Sequence, residues 1–527
     1  MIKTDIKVPF NYSGEDILSA VTVRLPISRD EINDTVILRR TLNISDKQDI
    51  HYDLTVGICC SEEREQGLLK MRKKVFPCES LEMSLPVCRF NSRPIVVGAG
   101  PAGLFCALIL AESGARPIVI ERGLDVDLRA KLVERFNRFG ILDPECNIQF
   151  GEGGAGSFSD GKLKVGKLDS YKRKILSELI DAGAPEDIMY SVGAHVGTDK
   201  LRNILKKIRQ KLVSLGAEVH FATRLTSVKI KDGRVVGCTA DAGGEQIELD
   251  CDELILATGH SARDVFELLR DIGAPLEAKG FGIGLRIEHP REHIDRIMYG
   301  NNPPSGIGAA SYHLVTHLPN GRSVYSFCMC PGGSVVAAAS EQGGIVTNGM
   351  SEHARDGVNS NAAFLVSVTP EDFSSDDPLA GIELQRSIER RAFNIAGGDY
   401  TAPTTSMSAF MASEKPHLAD TQPTYPRGTM LADPGEYLPE YITDSLRPAI
   451  KDFDDWMPGF YCGDAVMTGP ETRTTSPIRV MRNSNFEVVG IGGLYPVGEG
   501  AGYAGGIISS ARDGVLIAEK IINNHSV

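Results

Sequence analysis

Ile95-Val96-Val97-Gly98-Ala99-Gly100-Pro101-Ala102-Gly103 decides how this chain is read. An apolar run enters a glycine turn, and Leu104–Ser113 continues as a helix-like stretch. A second apolar run, Ile118-Val119-Ile120, then ends in Glu121-Arg122. Strand, glycine turn, helix, strand and terminal acid in register make the pattern of a dinucleotide-binding βαβ unit. Gly98 permits the tight turn, Gly100 lets backbone approach a pyrophosphate, and Gly103 allows close packing of helix on strand. Pro101 and Ala102 open the helix, whose free N–H groups favour phosphate. Glu121, followed by Arg122, is the candidate acceptor for ribose hydroxyls. The competing reading is a glycine-rich turn with no ligand.

Two further stretches belong with the first. Asp252–Gly259 is a short apolar strand ending in Ala257-Thr258-Gly259. Upstream of it, Glu218–Phe221, Thr226–Ile230, Arg234–Ala240 and Gln246–Leu249 read as short strands. They are split by Lys231-Asp232-Gly233 and Gly243-Gly244, and Asp-Gly is a hairpin signal. Near the C-terminus, Gly493-Leu494-Tyr495-Pro496-Val497-Gly498-Glu499-Gly500 leads through Gly505-Gly506 into Ile507–Ile522, which reads as a helix.

The three motifs, in this order from Gly98 to Gly506, resemble those of the FAD-dependent glutathione reductase-like flavoproteins. That resemblance implies a fold and a cofactor. The fold is α/β, a Rossmann-like FAD-binding domain of three layers (ββα), with an inserted α+β cap domain and a small N-terminal α+β domain. Its strand-end acid contacts the ribityl chain, here Glu499 with Gly498 and Gly500, where many relatives carry Asp. The helix start at Gly505-Gly506-Ile507 faces the flavin pyrimidine, where its dipole stabilises negative charge. The resemblance narrows through Gly151–Leu163, Gly284–Pro290, Phe327–Gly333, Thr347–Met350, Ala354–Asn361 and Glu471–Arg479. Together these look like a bacterial family of FAD-dependent dehydrogenase-like proteins with no assigned substrate. In the glycine-rich loop, Gly153, Gly154, Gly156, Ser159, Asp160 and Lys162 are candidates to pass the flavin or its pyrophosphate. A single complete GxGxxG, without the Cys-x4-Cys of the disulfide reductases, sets the chain apart from those enzymes.

Length and composition bound the reading. At 527 residues two or three domains are expected. The boundaries fall at residues 1–90 (N-terminal α+β), 91–270 (first part of the FAD domain), 271–479 (inserted cap) and 480–527 (its second part). In the first of these, Ala20–Leu25 and Ile50–Gly57 read as strands and Ile32–Arg40 as a helix. Arg39, Arg40 and the Lys70–Lys74 run are candidates to bind an anion. A start without a basic-then-apolar leader, and no long apolar run, predict a cytoplasmic protein that does not enter a membrane. Eleven cysteines without regular spacing predict reduced thiols. A net charge of −13 argues against a nucleic-acid partner. The basic set Lys200, Arg202, Lys206, Lys207, Arg209 and Lys211 reads as a solvated helix face. The oligomeric state is left open.

For chemistry, His289 suits proton transfer to a substrate being reduced, against a structural loop histidine. Arg286, Arg473 and Arg479 are candidates to hold a substrate carboxylate, against ion pairs. Cys328 and Cys330 would share one face of a strand, as a redox or soft-metal pair or as two buried apolar side chains. The expectation is an FAD-dependent oxidoreductase moving a hydride between flavin and an organic small molecule, with NAD(P)H as a candidate transient donor. The alternatives are an FAD-dependent RNA-modifying enzyme, a flavin-binding regulatory protein without catalysis, and an NAD-binding dehydrogenase without flavin.

Overall fold

A computed structural model describes residues 1–71, 74–78, 81–158 and 160–525. Five short strands form one parallel sheet, in the order Leu494–Pro496, Leu254–Leu256, Ile95–Val97, Ile118–Ile120 and Glu218–His220. Side chains alternate along a strand, and here the alternation builds three layers. Val96, Val119 and Ile255 pack against the helices Pro101–Glu112, Thr198–Ser214 and Ile507–Asn524. Ile95, Val97, Ile120, Leu254 and Leu256 pack instead against Leu225, Val235 and Ala240 of a three-stranded meander. The layers are therefore meander, sheet and helices, the α/β arrangement expected. The Asp232-Gly233 turn of the meander has both residues at positive φ (51° and 75°), as a two-residue hairpin loop prefers. Glu218–His220 belongs to the parallel sheet and not to the meander.

The chain leaves this sheet after Leu254–Leu256 and returns at Leu494–Pro496. Between them lies a seven-stranded sheet, in the order Val315–His317, Ser323–Cys330, Asn359–Val368, Phe281–Pro290, Val466–Glu471, Ala402–Ser406 and Thr429–Leu431. Phe281, Ile283, Leu285 and Ile287 face one core, shared with Leu446, Ile450 and Phe453 of the helix Glu440–Trp456. The other face turns toward the first sheet. The outgoing and returning segments pair as antiparallel strands, Leu276–Ala278 with Ile478–Val480.

The N-terminal module is a four-stranded sheet, Asp34–Asn43, His51–Cys59, Ile2–Pro9 and Phe76–Pro77, with helices Gly14–Arg24 and Glu62–Leu69. Two expectations are corrected here. Ala20–Leu25 belongs to a helix, started by a capping box in which the Ser13 hydroxyl accepts from the Asp16 N–H and Asp16 accepts from the Ser13 N–H. Ile32–Arg40 is largely strand, because Asp34–Asn43 completes a ladder with His51–Cys59. Arg40 stacks between Tyr52 and Tyr190 and pairs with Asp187 at 2.7 Å, tying the module to the segment before the helix Thr198–Ser214. In the Lys70–Lys74 run, Arg72 and Lys73 lie outside the described residues. On the basic helix, Lys206, Arg209 and Lys211 are paired with Asp127, Glu152 and Glu178. Among the described residues, no helix is long and apolar enough to cross a membrane.

Candidate functional site

The strands Ile95–Val97, Leu254–Leu256 and Leu494–Pro496 run parallel and adjacent, so the three motifs that follow them meet at one edge of the sheet. Gly98 sits at φ +104°, and a β-carbon there would lie 2.4 Å from the Ala257 carbonyl oxygen. At Gly103 it would lie 1.9 Å from the Gly98 carbonyl oxygen, so the helix touches the turn through a bare backbone. Gly100 caps the helix without a side chain, and Pro101 occupies its first position. Gly154 packs on Gly100 and Gly156 on Ile507, which brings the glycine-rich loop beside both helix starts.

A cleft of about 260 Å³, open to solvent, runs along this edge. Gly98, Gly100, Pro101 and Ala102 line it, as do Gly154 and Gly156. So do Ala257, Thr258 and Gly259, and Glu499 with Gly505, Gly506 and Ile507. Gly103, Gly153, Gly498 and Gly500 stand behind the wall as spacers. A β-carbon would meet Leu205 at Gly153, Ala102 at Gly498, and the Gly259 carbonyl oxygen at Gly500. Ser159 lies outside the described residues.

Glu121 lines the cleft but is engaged locally. Its carboxylate accepts the N–H groups of Ala99 (2.8 Å), Gly123 (2.9 Å) and Gly151 (2.9 Å). It thus ties the phosphate turn to the glycine-rich loop and leaves about one acceptor position of the carboxylate's four for a ribose hydroxyl. Arg122 lies over the Phe150 ring at 4.4 Å and pairs with Glu145 at 3.0 Å and with Asp264. Asp160 is buried, paired with Arg355 and accepting from the Ser351 hydroxyl, while Lys162 stands 3.9 Å away on the cleft side.

Across from the glycine turns, the seven-stranded sheet contributes Phe327, Cys328 and Glu471, with Arg473 just beyond the end of Val466–Glu471 and Asn348 from the strand Thr347–Met350. Arg286 organises this wall from beneath. Its Nε and Nη2 donate to the two Glu471 carboxylate oxygens at 2.5 and 2.9 Å. Nη1 donates to the Cys328 carbonyl oxygen (2.9 Å) and Asn361 Oδ1 (3.1 Å), and Nη2 also to Asn348 Oδ1 (2.9 Å). All five guanidinium donors are used. Arg286 therefore has none left for a substrate carboxylate, which corrects the sequence expectation: it positions Glu471, Asn348 and Cys328. Burial pushes the Glu471 carboxyl up to about 7 against the pull of Arg286. Burial also pushes Glu499 up to about 7, with Lys279 opposing it.

His289 does not reach the cleft. On the strand Phe281–Pro290, Arg286 faces the cleft side, and three residues on His289 faces the opposite, apolar side with Ile287 and Leu285. It is fully buried, its Nε2 is 2.9 Å from the Phe460 carbonyl oxygen, and burial lowers its pKa to about 4. That is a structural histidine. Arg473 lines the cleft, but its Nε and Nη2 grip Glu389 at 3.0 and 2.8 Å. Arg263 binds Glu389 from the other side at 2.9 Å. Arg479 stands over the Tyr503 ring at 5.6 Å. Sequence reading missed His260, which lines the cleft and is held neutral, at about 3, by burial and by Arg473 and Arg263. It follows directly on Ala257-Thr258-Gly259, so only its position marked it. Asn348 and Glu471 stood in stretches noted for resemblance, without a role.

Residues 92–283 match the pyridine nucleotide-disulphide oxidoreductase family, and residues 280–474 match a family described as FAD-dependent protein, C-terminal domain-like. An uncharacterized protein from Clostridium beijerinckii is 44% identical over 523 residues, 97% of each chain. This chain belongs to that family of FAD-dependent proteins. Aklavinone 12-hydroxylase from Streptomyces peucetius subsp. caesius is 30% identical over 178 residues, 31% of this chain and 35% of its own. The 3-ketosteroid-delta4-(5alpha)-dehydrogenase from Rhodococcus jostii RHA1 aligns with 84% of this chain and 100% of its own, at 12% identity and a TM-score of 0.36. Membership makes FAD the cofactor and the protein an FAD-dependent oxidoreductase in the broad sense. The cleft fits that cofactor. Two helices, starting at Gly100 and Gly506, open on it without a side-chain cap, and the glycines between them admit a pyrophosphate against bare backbone.

Proposed function

We propose that the protein moves a hydride between FAD and a small organic substrate seated under the seven-stranded sheet, with NAD(P)H as the electron donor at the same face. In this reading residues 91–270 and 480–527 form the FAD domain, 271–479 the cap over the substrate, and 1–90 an accessory module. Gly98, Gly100, Pro101, Ala102 and Gly103 serve the pyrophosphate, with Gly153, Gly154 and Gly156 behind it. Glu121 and Arg122 serve the adenosine end, and Glu499 with Gly498 and Gly500 the ribityl side. Gly505, Gly506 and Ile507 present the helix start to the pyrimidine ring. Ala257, Thr258 and Gly259 shape the turn beside them, and Asp160 and Lys162 stand at the ring end. When bound, FAD supplies two-electron hydride chemistry, and the protein supplies orientation and electrostatics.

Glu471 replaces His289 as the candidate proton carrier. Its carboxyl is near half-protonation at neutral pH, Arg286 fixes its plane, and it lines the cleft. A group with a pKa close to the working pH is the efficient general acid or base. The single observation that carries the reading is the continuity of the cleft, from the Gly98–Ala102 turn to the wall of Cys328, Asn348 and Glu471.

The test is an absorbance spectrum of purified protein before and after anaerobic NADH or NADPH. A yellow protein that bleaches supports the reading and justifies screening enone and quinone acceptors. A yellow protein that does not bleach with either removes the nicotinamide donor. A colourless protein that takes up no added FAD overturns the proposal.

A further inference from the structure

The hydride reading makes no use of the thiols in Cys328-Met329-Cys330, and the structure gives that stretch an unusual build. Along the strand Ser323–Cys330, Val324 and Ser326 are buried on the core side, while Tyr325 and Phe327 face the other way. Strict alternation would return Cys328 to the core beside Val324. It does not return, because the ladder to Asn359–Val368 slips: Phe327 is opposite Ala363, but Cys330 is opposite Asn361. Three steps on one strand match two on the other, which is a β-bulge. The extra residue is taken up at Cys328, which sits at φ +44°, a left-handed conformation that side chains other than glycine rarely adopt. Arg286 holds it there through the 2.9 Å bond to its carbonyl oxygen. Cys328 and Phe327 then both line the cleft, Met329 enters the core, and Cys330 returns to the side of Cys328, buried beneath it.

The bulge thus puts two thiols on one face, one at the cleft and one behind. The Cys330 sulfur stands 3.4 Å from the Cys328 carbonyl oxygen, and both thiols are free. Two steps of extended strand span about 6.6 Å, near the upper end of the roughly 4.4–6.8 Å between α-carbons that a disulfide accepts. The compressed register shortens that path. Interaction with the Cys330 thiol, then the charges of Arg286 and Lys162, favour the thiolate at Cys328, while Cys330 is held protonated. Lys164, 4.8 Å from the Phe327 ring, adds a second cation at the rim. A thiolate beside a protonated partner and two lysines is equipped to attack a small anionic disulfide.

We propose that Cys328 and Cys330 are a dithiol–disulfide pair opening on the cleft, with Cys328 the attacking sulfur and Cys330 the resolving one. The Cys328 thiolate displaces one half of a disulfide R–S–S–R, forming Cys328–S–S–R and releasing RS⁻, which takes a proton from water. Cys330 then gives up its proton to the hydroxide so formed and attacks the Cys328 sulfur. The Cys328–Cys330 bond forms and the second RS⁻ leaves. One disulfide is reduced, two thiols are oxidised, and no further electron source enters. A ring closed between neighbours on one strand is strained, so the pair is readily reduced again.

The test uses 5,5′-dithiobis(2-nitrobenzoate), a small anionic aromatic disulfide, on full-length protein with and without added FAD. Wild type is expected to release two equivalents of thionitrobenzoate beyond the Cys328→Ser variant and to keep no label on either cysteine. Cys330→Ser is expected to release one equivalent and to retain the other half as a mixed disulfide on Cys328. Peptide mapping of treated wild type, which needs no variant, should find Cys328 joined to Cys330 and freed by dithiothreitol. A label that stays on Cys328 in wild type overturns the proposal, as do mapped cysteines that remain free. Because the readout is sulfur chemistry, it stands in FAD-free protein and is separate from the outcome of the flavin spectrum.

Discussion

Gly103 shows how little room the cofactor turn leaves. With the Gly98 carbonyl oxygen 1.9 Å from where a β-carbon would be, Gly103→Ala must push the helix off the strand. We expect a loss of about 1–3 kcal/mol in denaturant unfolding, with less flavin in the purified protein. A second prediction concerns Arg286. Replacing it with Met leaves Glu471 buried without its partner and should cost about 3–5 kcal/mol. Adding Glu471→Gln should recover part of that loss at pH values high enough to ionise the unpaired carboxyl, and equilibrium unfolding of the single and double variants across pH measures both. A third concerns Glu499. Its carboxyl rises from 4.5 to about 7 on folding, so the native state binds more protons than the unfolded state between those values. Its contribution to stability therefore falls as pH rises through that window and is level above it. The stability of flavin-free wild type relative to Glu499→Gln should show that decline, and a difference independent of pH would refute it. The glycines and Glu499 were legible because each motif is contiguous. The Arg286–Glu471 pair was not, since its members stand 185 residues apart and meet only across strands.

At the level of elements, the period of two explains both a failure and a success of sequence reading. From sequence, His289 reads as a proton carrier and Arg286 as a holder of a substrate carboxylate, but their odd spacing on a strand sends them to opposite faces. Cys328 and Cys330, two apart, do share a face, though only through a bulge that sequence did not reveal. In the N-terminal module, the run Val21-Thr22-Val23 suggested strand by its β-branched residues, yet the local capping box started a helix around it. Ser13→Ala should therefore cost about 1 kcal/mol in thermal or denaturant unfolding and leave the flavin content unchanged. A drop in flavin content would mean that this helix communicates with the cleft.

On the scale of the whole molecule, the host sheet was largely legible because four of its five strands carry short apolar runs beside marked turns, and parallel strands buried on both faces read that way; the fifth, Glu218–His220, is polar and largely exposed and read as part of the meander. The seven-stranded sheet was not, because its order is set by pairings between distant segments, such as Val466–Glu471 with Phe281–Pro290. The way this sheet is joined to its host has one more consequence. Leu276 lies opposite Val480 and Ala278 opposite Ile478, so the segment enters and exits at a single rung. In genetic terms it is a cassette: excised at that rung, the host needs only a short linker to close, at small entropic cost. Its chemistry resists the same cut. Arg263 belongs to the host and is fully buried against Glu389 of the cassette. A host shorn of its insert would lose that salt bridge and expose the core it shares with Leu379 and Ile382 of the cassette. Swapping this cassette between relatives should therefore succeed only where the incoming cassette brings an acid to meet the host's Arg263.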